Sequence, residues 1–410
     1  MSRVTTLDAE IPEVAAPRAG GTQVGVVTAA VALLLGGAAW LTAEYDLRQG
    51  ALLLVGGGCG LVLYHAAFGF TAAFRVLVTT GDGRGIRAQM LMLAVATALF
   101  APVLASGEIF GREVVGALAP AGLSVLIGAF VFAIGMQVAG GCGSGTLFHL
   151  GSGTTSMAVV LLAFVAGSVI ATFHMPFWSA LPSLGEISLG ERLGWPAAVG
   201  VQLAAFAAIA AVIRVMERRR RGSVTPPSRG PGGWSRLVRG PWPLLAGAVL
   251  LALLNLATLL LAGHPWTITW GFALWGGKAL RAVGYDLASV PFWQGEFQQA
   301  ALAAPVLADE TSVMDVGLVL GALLAAGLAG RFAPKRRIPL RRVAAAVLGG
   351  FLLGYGARIA FGCNIGAYVG GIASTSLHGW LWGVAALLGT PVGLRLRALL
   401  DPDRAASRMP

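Results

Sequence analysis

Long apolar runs separated by short polar segments dominate the pattern along this chain. A helix needs roughly 20 apolar residues to cross the hydrocarbon core of a bilayer. The runs that reach or approach this length are residues 23–43, 51–79, 88–106, 121–139, 155–174, 196–216, 242–262, 313–330, 343–362 and 376–394. Segments of about ten residues with alternating polarity, which would indicate a β-barrel, are not evident. The pattern predicts an all-α polytopic membrane protein with about 9–11 helices, broken or re-entrant ones included.

Composition supports this prediction and removes one alternative. Of the 410 residues, 56% are hydrophobic and 11% are charged, whereas soluble proteins carry about a quarter charged residues. The net charge of +11 could indicate nucleic-acid binding, but no recognition motif or aromatic platform accompanies it. Basic residues in short loops instead set the orientation of membrane helices. We therefore expect the lipid bilayer as a partner and no nucleic acid.

The polar segments divide the chain into two membrane halves. Residues 217–240 are rich in Arg, Pro and Gly and are expected to form a basic cytoplasmic linker. This linker separates a first half, 23–216, from a second half, 241–398. Residues 1–22 form a polar N-terminal tail and residues 399–410 a C-terminal tail. The expected location is multi-pass in the inner (cytoplasmic) membrane.

One short pattern, G-x-x-x-A-x-G-C-x-x-G, occurs once in each half. It lies within GMQVAGGCGSGT at 135–146 and within GYGARIAFGCNIG at 354–366. The helix before the first copy follows an acidic stretch, 107–113, which we expect outside. The helix before the second copy follows a basic stretch, 331–342, which we expect inside. The two copies should therefore run in opposite directions, as in inverted-topology repeats.

Two fainter echoes of this pattern suggest two further elements of the same kind. FGFTAAF at 68–74 has the shape of FGCNIGAY at 361–368, and ITWGFALWGGKAL at 268–280 is the candidate fourth element. Four related elements, two in each half, would surround one centre.

The glycines of the repeated pattern favour a break in each helix. Each Gly inside a helix costs about 1 kcal/mol, although close packing through small residues is the alternative explanation. Ser144, Thr146 or Asn364 could cap the half-helix that follows. The N-terminus of a half-helix carries partial positive charge and free N–H groups, which suit an anion. The candidate path residues at the two breaks are Gly141, Cys142, Gly143, Ser144, Gly362, Cys363 and Asn364.

Cations and cysteines inside apolar runs are the remaining candidates. Arg75, Lys278 and Arg358 would favour an anion, although Arg75 could instead snorkel to the interface. Three cysteines, all in apolar runs, argue against a disulfide framework. A thiol is a soft group and a weak donor, or simply a small core residue, as we expect for Cys59. Cysteine–histidine spacings match no common zinc pattern, so no metal or cofactor is expected.

These motifs resemble the YeeE/YedE family of sulfur-compound permeases, whose best-understood members take up thiosulfate. The resemblance covers residues 50 to 398 and implies that cysteines in a central path pass the anion on through S–H···S hydrogen bonds. Cys142 and Cys363 match two of the family cysteines. The third belongs in R-F-C-x-T-G-G-F-R, where this chain reads A-F-G-F-T-A-A-F-R. Gly69 replaces that thiol, whereas Arg75 matches the Arg. The resemblance also suggests a cytoplasmic sulfur-carrier protein as a partner.

We therefore predict a transporter, not an enzyme, that takes up a small thiosulfate-like anion through a constriction of paired cysteines. Alternatives are transport of another sulfur or selenium species, a membrane sulfur relay through a Cys142 persulfide, and a scaffold whose glycines only pack. The relay needs an activated thiolate, and no dedicated base lies beside either cysteine. No acidic proton-relay chain is evident in the apolar runs. The sequence does not identify the driving force, and facilitated diffusion or trapping by a cytoplasmic sulfur carrier are both consistent with it.

Overall fold

The computed structural model describes residues 21–226, 233–334 and 337–400. Nearly all of the predicted tail 1–22, most of the tail 399–410 and part of the predicted linker lie outside the described residues. The helices before the linker are α1 (Val24–Glu44), α2 (Leu47–His65), α3 (Phe70–Thr80), α4 (Arg84–Ser106), α5 (Leu123–Ala139), α6 (Gly143–Gly151), α7 (Ser156–Ser179), α8 (Leu189–Leu193) and α9 (Trp195–Arg221).

The remaining helices complete an all-α architecture. They are α10 (Trp234–Arg239), α11 (Leu244–Ala262), α12 (Thr269–Ala282), α13 (Glu296–Ala303), α14 (Glu310–Leu328), α15 (Leu340–Ile359), a π-helix (Asn364–Gly370), α16 (Gly371–Ala373) and α17 (Leu377–Leu400). Short 3₁₀ turns lie at Leu287–Ser289, Pro291–Trp293 and Val306–Ala308. The antiparallel strand pairs are β1 (Glu108–Ile109) with β2 (Arg112–Glu113) and β3 (Pro120–Gly122) with β4 (Ser183–Glu186).

Ten helical segments in the described part of the chain are long and apolar enough to cross a membrane. Each overlaps one of the ten predicted runs, so the all-α polytopic fold is confirmed. Three of these segments contain an interruption, because α2 and α3, α5 and α6, and α15 and the π-helix are separated by a few residues. A fourth interruption, at 263–268, separates α11 from α12. The four elements expected from the repeated pattern are therefore all interrupted helices.

The two helices that carry the repeated pattern pack against each other in antiparallel fashion. An added Cβ atom on Gly128 would lie 2.7 Å from the backbone nitrogen of Ala360. One on Gly135 would lie 2.7 Å from the carbonyl oxygen of Gly349. Residue numbers thus rise along α5 as they fall along α15, which confirms that the two copies run in opposite directions. The close approach also shows that these glycines serve helix packing.

The contacts between the other helices repeat with the halves exchanged. Helix α2 packs on α14, and α11 packs on α4. Likewise α7 packs on α15, and α17 packs on α5. Each contact becomes its counterpart when α2, α4, α5 and α7 are exchanged with α11, α14, α15 and α17. A two-fold relation between two inverted sets of helices produces this pattern.

Acidic and basic segments lie at opposite ends of the bundle. At the acidic end, which we call the outer face, Val115 donates its N–H to the Gly263 carbonyl (2.8 Å) and His264 pairs with Glu310. At the other end, which we call the inner face, Phe332 and Pro334, at the start of the basic segment 331–342, pack against Gly153. The predicted grouping of the loops by charge is therefore present in the fold.

Two ion-paired carboxylates hold the inner face together where the linker begins. Asp82 pairs with Arg84 at 2.9 Å and with Arg221 at 3.2 Å. Glu217 is fully buried, pairs with Arg87 and accepts a hydrogen bond from the Thr225 N–H at 2.9 Å. The first residues of the predicted linker are thus the end of α9 and are anchored to α4.

Candidate functional site

The N-termini of four half-helices meet at the centre of the bundle. An added Cβ atom on Gly143, at the start of α6, would lie 3.3 Å from Cys363 Sγ and 3.6 Å from Ile268 Cγ2. One on Gly366, in the π-helix, would lie 3.2 Å from Thr267 Oγ1. The start of α3 joins them, because the Thr71 side chain lies beside the Cys142 thiol. Residues far apart in the sequence are therefore brought to one point.

The two motif cysteines occupy the N-cap positions of their half-helices. Cys142 precedes α6 without a side-chain cap, and the Thr146 hydroxyl donates to the Cys142 carbonyl at 2.8 Å. The Cys363 thiol accepts a hydrogen bond from the Ile365 N–H at 3.4 Å. The expectation that Ser144, Thr146 or Asn364 caps these helices is wrong, because the cysteines precede the first helical residue. Side-chain capping is thus absent at α6 and a weak sulfur contact at the π-helix, which leaves N–H groups of the first turn available.

Local glycines create the two breaks. Gly140 ends α5 in the left-handed conformation (φ 84°), which glycine adopts without steric cost. Gly362, beside Cys363, has φ 150°. Both breaks redirect the chain inside the bundle, and the following half-helix starts at the centre. The predicted breaks are therefore present in the structure, and the packing of Gly135 shows that the alternative explanation applies to other glycines of the same motifs.

Several buried polar atoms near these helix ends have no hydrogen-bond partner within the described chain. They belong to Thr71 (Oγ1), Gln137 (Oε1), Asn364 (Oδ1 and Nδ2) and Asp315 (both carboxyl oxygens). Asn364 and Asp315 are fully buried. Unpartnered buried polar atoms cost free energy in a folded protein, so they indicate a place where a polar ligand or water completes the contacts.

Asp315 is the residue that the sequence interpretation missed. It lies in the predicted run 313–330, and the absence of a chain of acidic residues there led us to expect no proton relay. An added Cβ atom on Gly271, in the first turn of α12, would lie 3.0 Å from Asp315 Oδ2. A single ionisable residue inside a membrane helix is a signal that could have identified it.

Two of the predicted cations contact the outer segment 287–304. The Arg358 guanidinium lies over the Phe292 ring, 5.2 Å from its centroid. Lys278 donates to the carbonyl oxygens of Leu302 (3.0 Å) and Ala304. Arg75 lies half-buried in the middle of α3. These contacts show that Lys278 holds the end of α13. The candidate path residues at the breaks are Gly141, Cys142, Gly143, Ser144, Gly362, Cys363 and Asn364.

Position in the helices, rather than burial, distinguishes two kinds of cysteine. Cys142 and Cys363 are 2% and 1% exposed and lie at the broken ends, where the Cys142 sulfur is 3.4 Å from the Ser144 hydroxyl oxygen. Cys59 lies within the continuous helix α2, as expected for a core residue. The described residues contain no cluster of three or more His, Cys, Asp or Glu side chains that could hold a metal ion.

Two cavities open toward the outer face and end at the residues between α11 and α12. The larger, about 520 Å³, is lined by residues that include His264, Thr267, Asp309 and Thr311. The smaller, about 200 Å³, is lined by His264, Thr267 and also by Gly366. Because Thr267 contacts Gly366 next to the break after α15, both cavities lead toward the meeting point of the half-helices.

Charge pairing reduces the negative potential of this outer entrance. Glu310 pairs with Arg48 and with His264 Nε2, the latter at 3.1 Å. Burial disfavours the charged form of His264, but hydrogen bonds to Glu310 and the Pro265 carbonyl outweigh it and raise the pKa of His264 above its usual value. Burial raises the pKa of the Asp309 carboxyl, despite its hydrogen bonds from Ser312. An anion that approaches the cavities therefore meets partly neutralised carboxylates.

Comparison with known proteins agrees with the geometry. The chain matches the Sulphur transport family over residues 65–392. A thiosulfate transporter, TsuA, from Spirochaeta thermophila is 29% identical over 348 residues, which cover 82% of this chain and 95% of that protein. The Escherichia coli thiosulfate transporter TsuA is 25% identical over 82% of this chain and 91% of its own length. The Escherichia coli probable transporter YedE is 31% identical over 38% of each chain. This chain therefore belongs to the sulphur transport family, the YeeE/YedE family, and is a transporter of sulfur compounds rather than an enzyme.

Proposed function

We propose that this protein takes up a thiosulfate-like anion through a constriction formed where the four half-helix N-termini meet. The single observation that carries the proposal is the contact of Gly143 with Cys363 Sγ, 3.3 Å from an added Cβ atom. This contact joins the two motifs at one point, because Gly143 directly follows Cys142 and lies against the thiol of Cys363. The names of the full-length relatives support thiosulfate as the first substrate to test.

Physical chemistry favours a sulfur-containing anion at this point. Half-helix N-termini present partial positive charge and N–H groups, which offset part of the cost of removing water from an anion. The thiols of Cys142 and Cys363 add weak, polarisable contacts that suit a terminal sulfur atom. Conduction needs contacts that are strong enough for entry and weak enough for exit. Lys278 and Arg358 make their contacts with the segment 287–304. The anion therefore meets partial charges and weak contacts at the breaks, which allow it to leave again.

We propose that the path of this protein uses two thiols, which stay free during transport. Gly69 is the N-cap of α3, where the family resemblance expects a third cysteine, and Thr71, in the first turn of that helix, places its hydroxyl beside Cys142. We propose that this hydroxyl makes the third polar contact with the anion. An oxygen of the anion, rather than its terminal sulfur, should then face Thr71. A selenium analogue of thiosulfate keeps these oxygens, so the protein should accept it as well.

The proposal includes an orientation. Residues 23–216 and 241–398 act as two inverted halves in the inner membrane, and the linker 217–240 lies in the cytoplasm. The inner face carries the basic segments, in keeping with the positive-inside rule. A cytoplasmic sulfur-carrier protein that binds this face would trap the anion after passage.

Uptake of ³⁵S-labelled thiosulfate by cells that lack other sulfur permeases tests this function. Cells that express the protein should accumulate label, unlabelled thiosulfate should compete, and an excess of chloride should not. Mass spectrometry of Cys142 and Cys363 during uptake should find free thiols. The proposal is wrong if expressing cells take up no more label than control cells. A persulfide on either cysteine would indicate the sulfur-relay alternative instead.

A further inference from the structure

Three acidic side chains are buried in the described part of the chain, and one of them differs from the other two. Asp82 and Glu217, at the inner face, are ion-paired with arginines. Asp315 is fully buried within α14, and neither of its carboxyl oxygens has a hydrogen-bond partner within the described chain. An isolated buried carboxylate is far more costly than a neutral carboxylic acid. Asp315 therefore carries a proton in this conformation.

Asp315 lies between the larger outer cavity and the centre. Thr311, which lines that cavity, is one helical turn before Asp315, about 6 Å along the axis. On its other side, Asp315 Oδ2 faces Gly271, three residues after Ile268. Because Ile268 contacts Gly143 at the constriction, a proton on Asp315 lies between outer water and the anion path.

The charged groups around α14 leave Asp315 unpaired. On its own helix, Asp309 and Glu310 face the outer cavity. The titratable or charged groups on the elements that pack against α14 are Glu44 on α1, Arg48, Cys59, Tyr64 and His65 on α2, His149 on α6, Arg236 and Arg239 on α10, and Lys278 and Arg281 on α12, with Cys363 close enough to interact electrostatically. Arg48 is held by Glu310, and Lys278 by the Leu302 and Ala304 carbonyls. No described cation pairs with the Asp315 carboxyl.

We propose that Asp315 is the proton carrier that couples anion uptake to inward proton movement. This inference rests on the proposed function. With the proton bound, the Asp315 hydroxyl donates a hydrogen bond to an oxygen of the anion, whereas an ionised carboxylate would repel the anion. When the path opens inward, the anion leaves and the O–H bond releases its proton to inner water. One proton accompanies each dianion, so a net charge of −1 crosses per cycle. The ionised Asp315 then becomes accessible from outside again and takes up a new proton.

The test uses the full-length protein in liposomes that contain a pH-sensitive dye, with potassium and valinomycin to clamp the membrane potential. Two quantities are measured: acidification of the lumen after external thiosulfate is added, and exchange of ³⁵S-thiosulfate across the membrane. The variants are Asp315→Asn, which keeps the size and a hydrogen-bond donor but cannot release a proton, and Asp315→Glu, which can. Asp286→Asn, the same change at an exposed residue, is the matched control.

Wild type, Asp315→Glu and Asp286→Asn should exchange label and acidify the lumen. Asp315→Asn should exchange label while its acidification falls to the level of protein-free liposomes, and this retained exchange also shows that it is folded. Acidification by Asp315→Asn equal to wild type, exchange by wild type without acidification, or loss of exchange in both Asp315 variants would overturn the proposal. Absence of thiosulfate exchange in wild type would instead overturn the proposed function on which it rests.

Discussion

Replacement of Gly143 by Ala tests whether the meeting point of the half-helices limits transport. The new methyl group would lie 3.3 Å from Cys363 Sγ and 3.6 Å from Ile268 Cγ2, with no backbone atom among its nearest neighbours. Overpacking costs about 1–3 kcal/mol, and we take about 1 kcal/mol because a thiol can rotate away. If this cost is added at the bottleneck, uptake falls about fivefold, since 1.4 kcal/mol corresponds to a factor of ten.

In the free energy of unfolding, the helix propensity of Ala should offset this overpacking cost. Gly143 begins α6 and is not among the glycines with positive φ, and Ala favours a helix over Gly by up to about 1 kcal/mol. The assay is initial ³⁵S-thiosulfate uptake, with thermal unfolding of the purified protein measured in parallel. Gly36→Ala, where the added atom meets open space, is the matched control. Uptake by Gly143→Ala equal to wild type, at equal protein level, would refute the assignment of these atoms to the path.

Three further changes probe other parts of the account. Gly321→Ala would overlap the Gly57 carbonyl oxygen between α14 and α2, so size-exclusion chromatography should find little folded protein; a monodisperse variant would contradict this packing. His264→Gln should lower the melting temperature most at mildly acidic pH. The pKa of His264 is raised in the folded protein, so its stabilisation is fully present below the pKa of the unfolded chain and is lost as pH rises through the pKa of the folded protein. A difference in melting temperature that grows with pH would contradict this. Lys278→Met should increase proteolysis near α13 and spare selectivity, since Lys278 binds the Leu302 carbonyl; altered anion preference would place it in the path.

The membrane helices and their breaks could be predicted from the sequence because both depend on local properties. Hydropathy over about 20 residues determines which segments enter the bilayer. The dense run of glycines from Gly140 to Gly145 disfavours a continuous helix, whereas the isolated pair Gly349–Gly350 lies within α15. The direction of the two motifs followed from charge in neighbouring loops. The antiparallel contact of Gly135 with Gly349 agrees with that prediction.

The contacts of individual side chains could not be predicted, because they depend on residues far away in the sequence. Lys278 binds carbonyls of the segment before α14, and Arg358 lies over Phe292, although both looked like cations of the path. Asp315 was overlooked because one carboxyl group hardly changes the hydropathy of α14, whose mean hydropathy is 1.8. That the Asp315 carboxyl has no hydrogen-bond partner becomes evident only once the surrounding helices are placed around it.

Thiosulfate uptake by three cysteine variants tests the central claim most directly. Cys142→Ala and Cys363→Ala remove the thiols at the two broken ends, and Cys59→Ala removes an equally buried thiol from a continuous helix. All three are reconstituted in liposomes at equal amounts and compared with wild type. The account predicts that Cys59→Ala retains uptake, whereas each of the other two variants loses most of it. Uptake that survives in both Cys142→Ala and Cys363→Ala would contradict a path through the paired thiols.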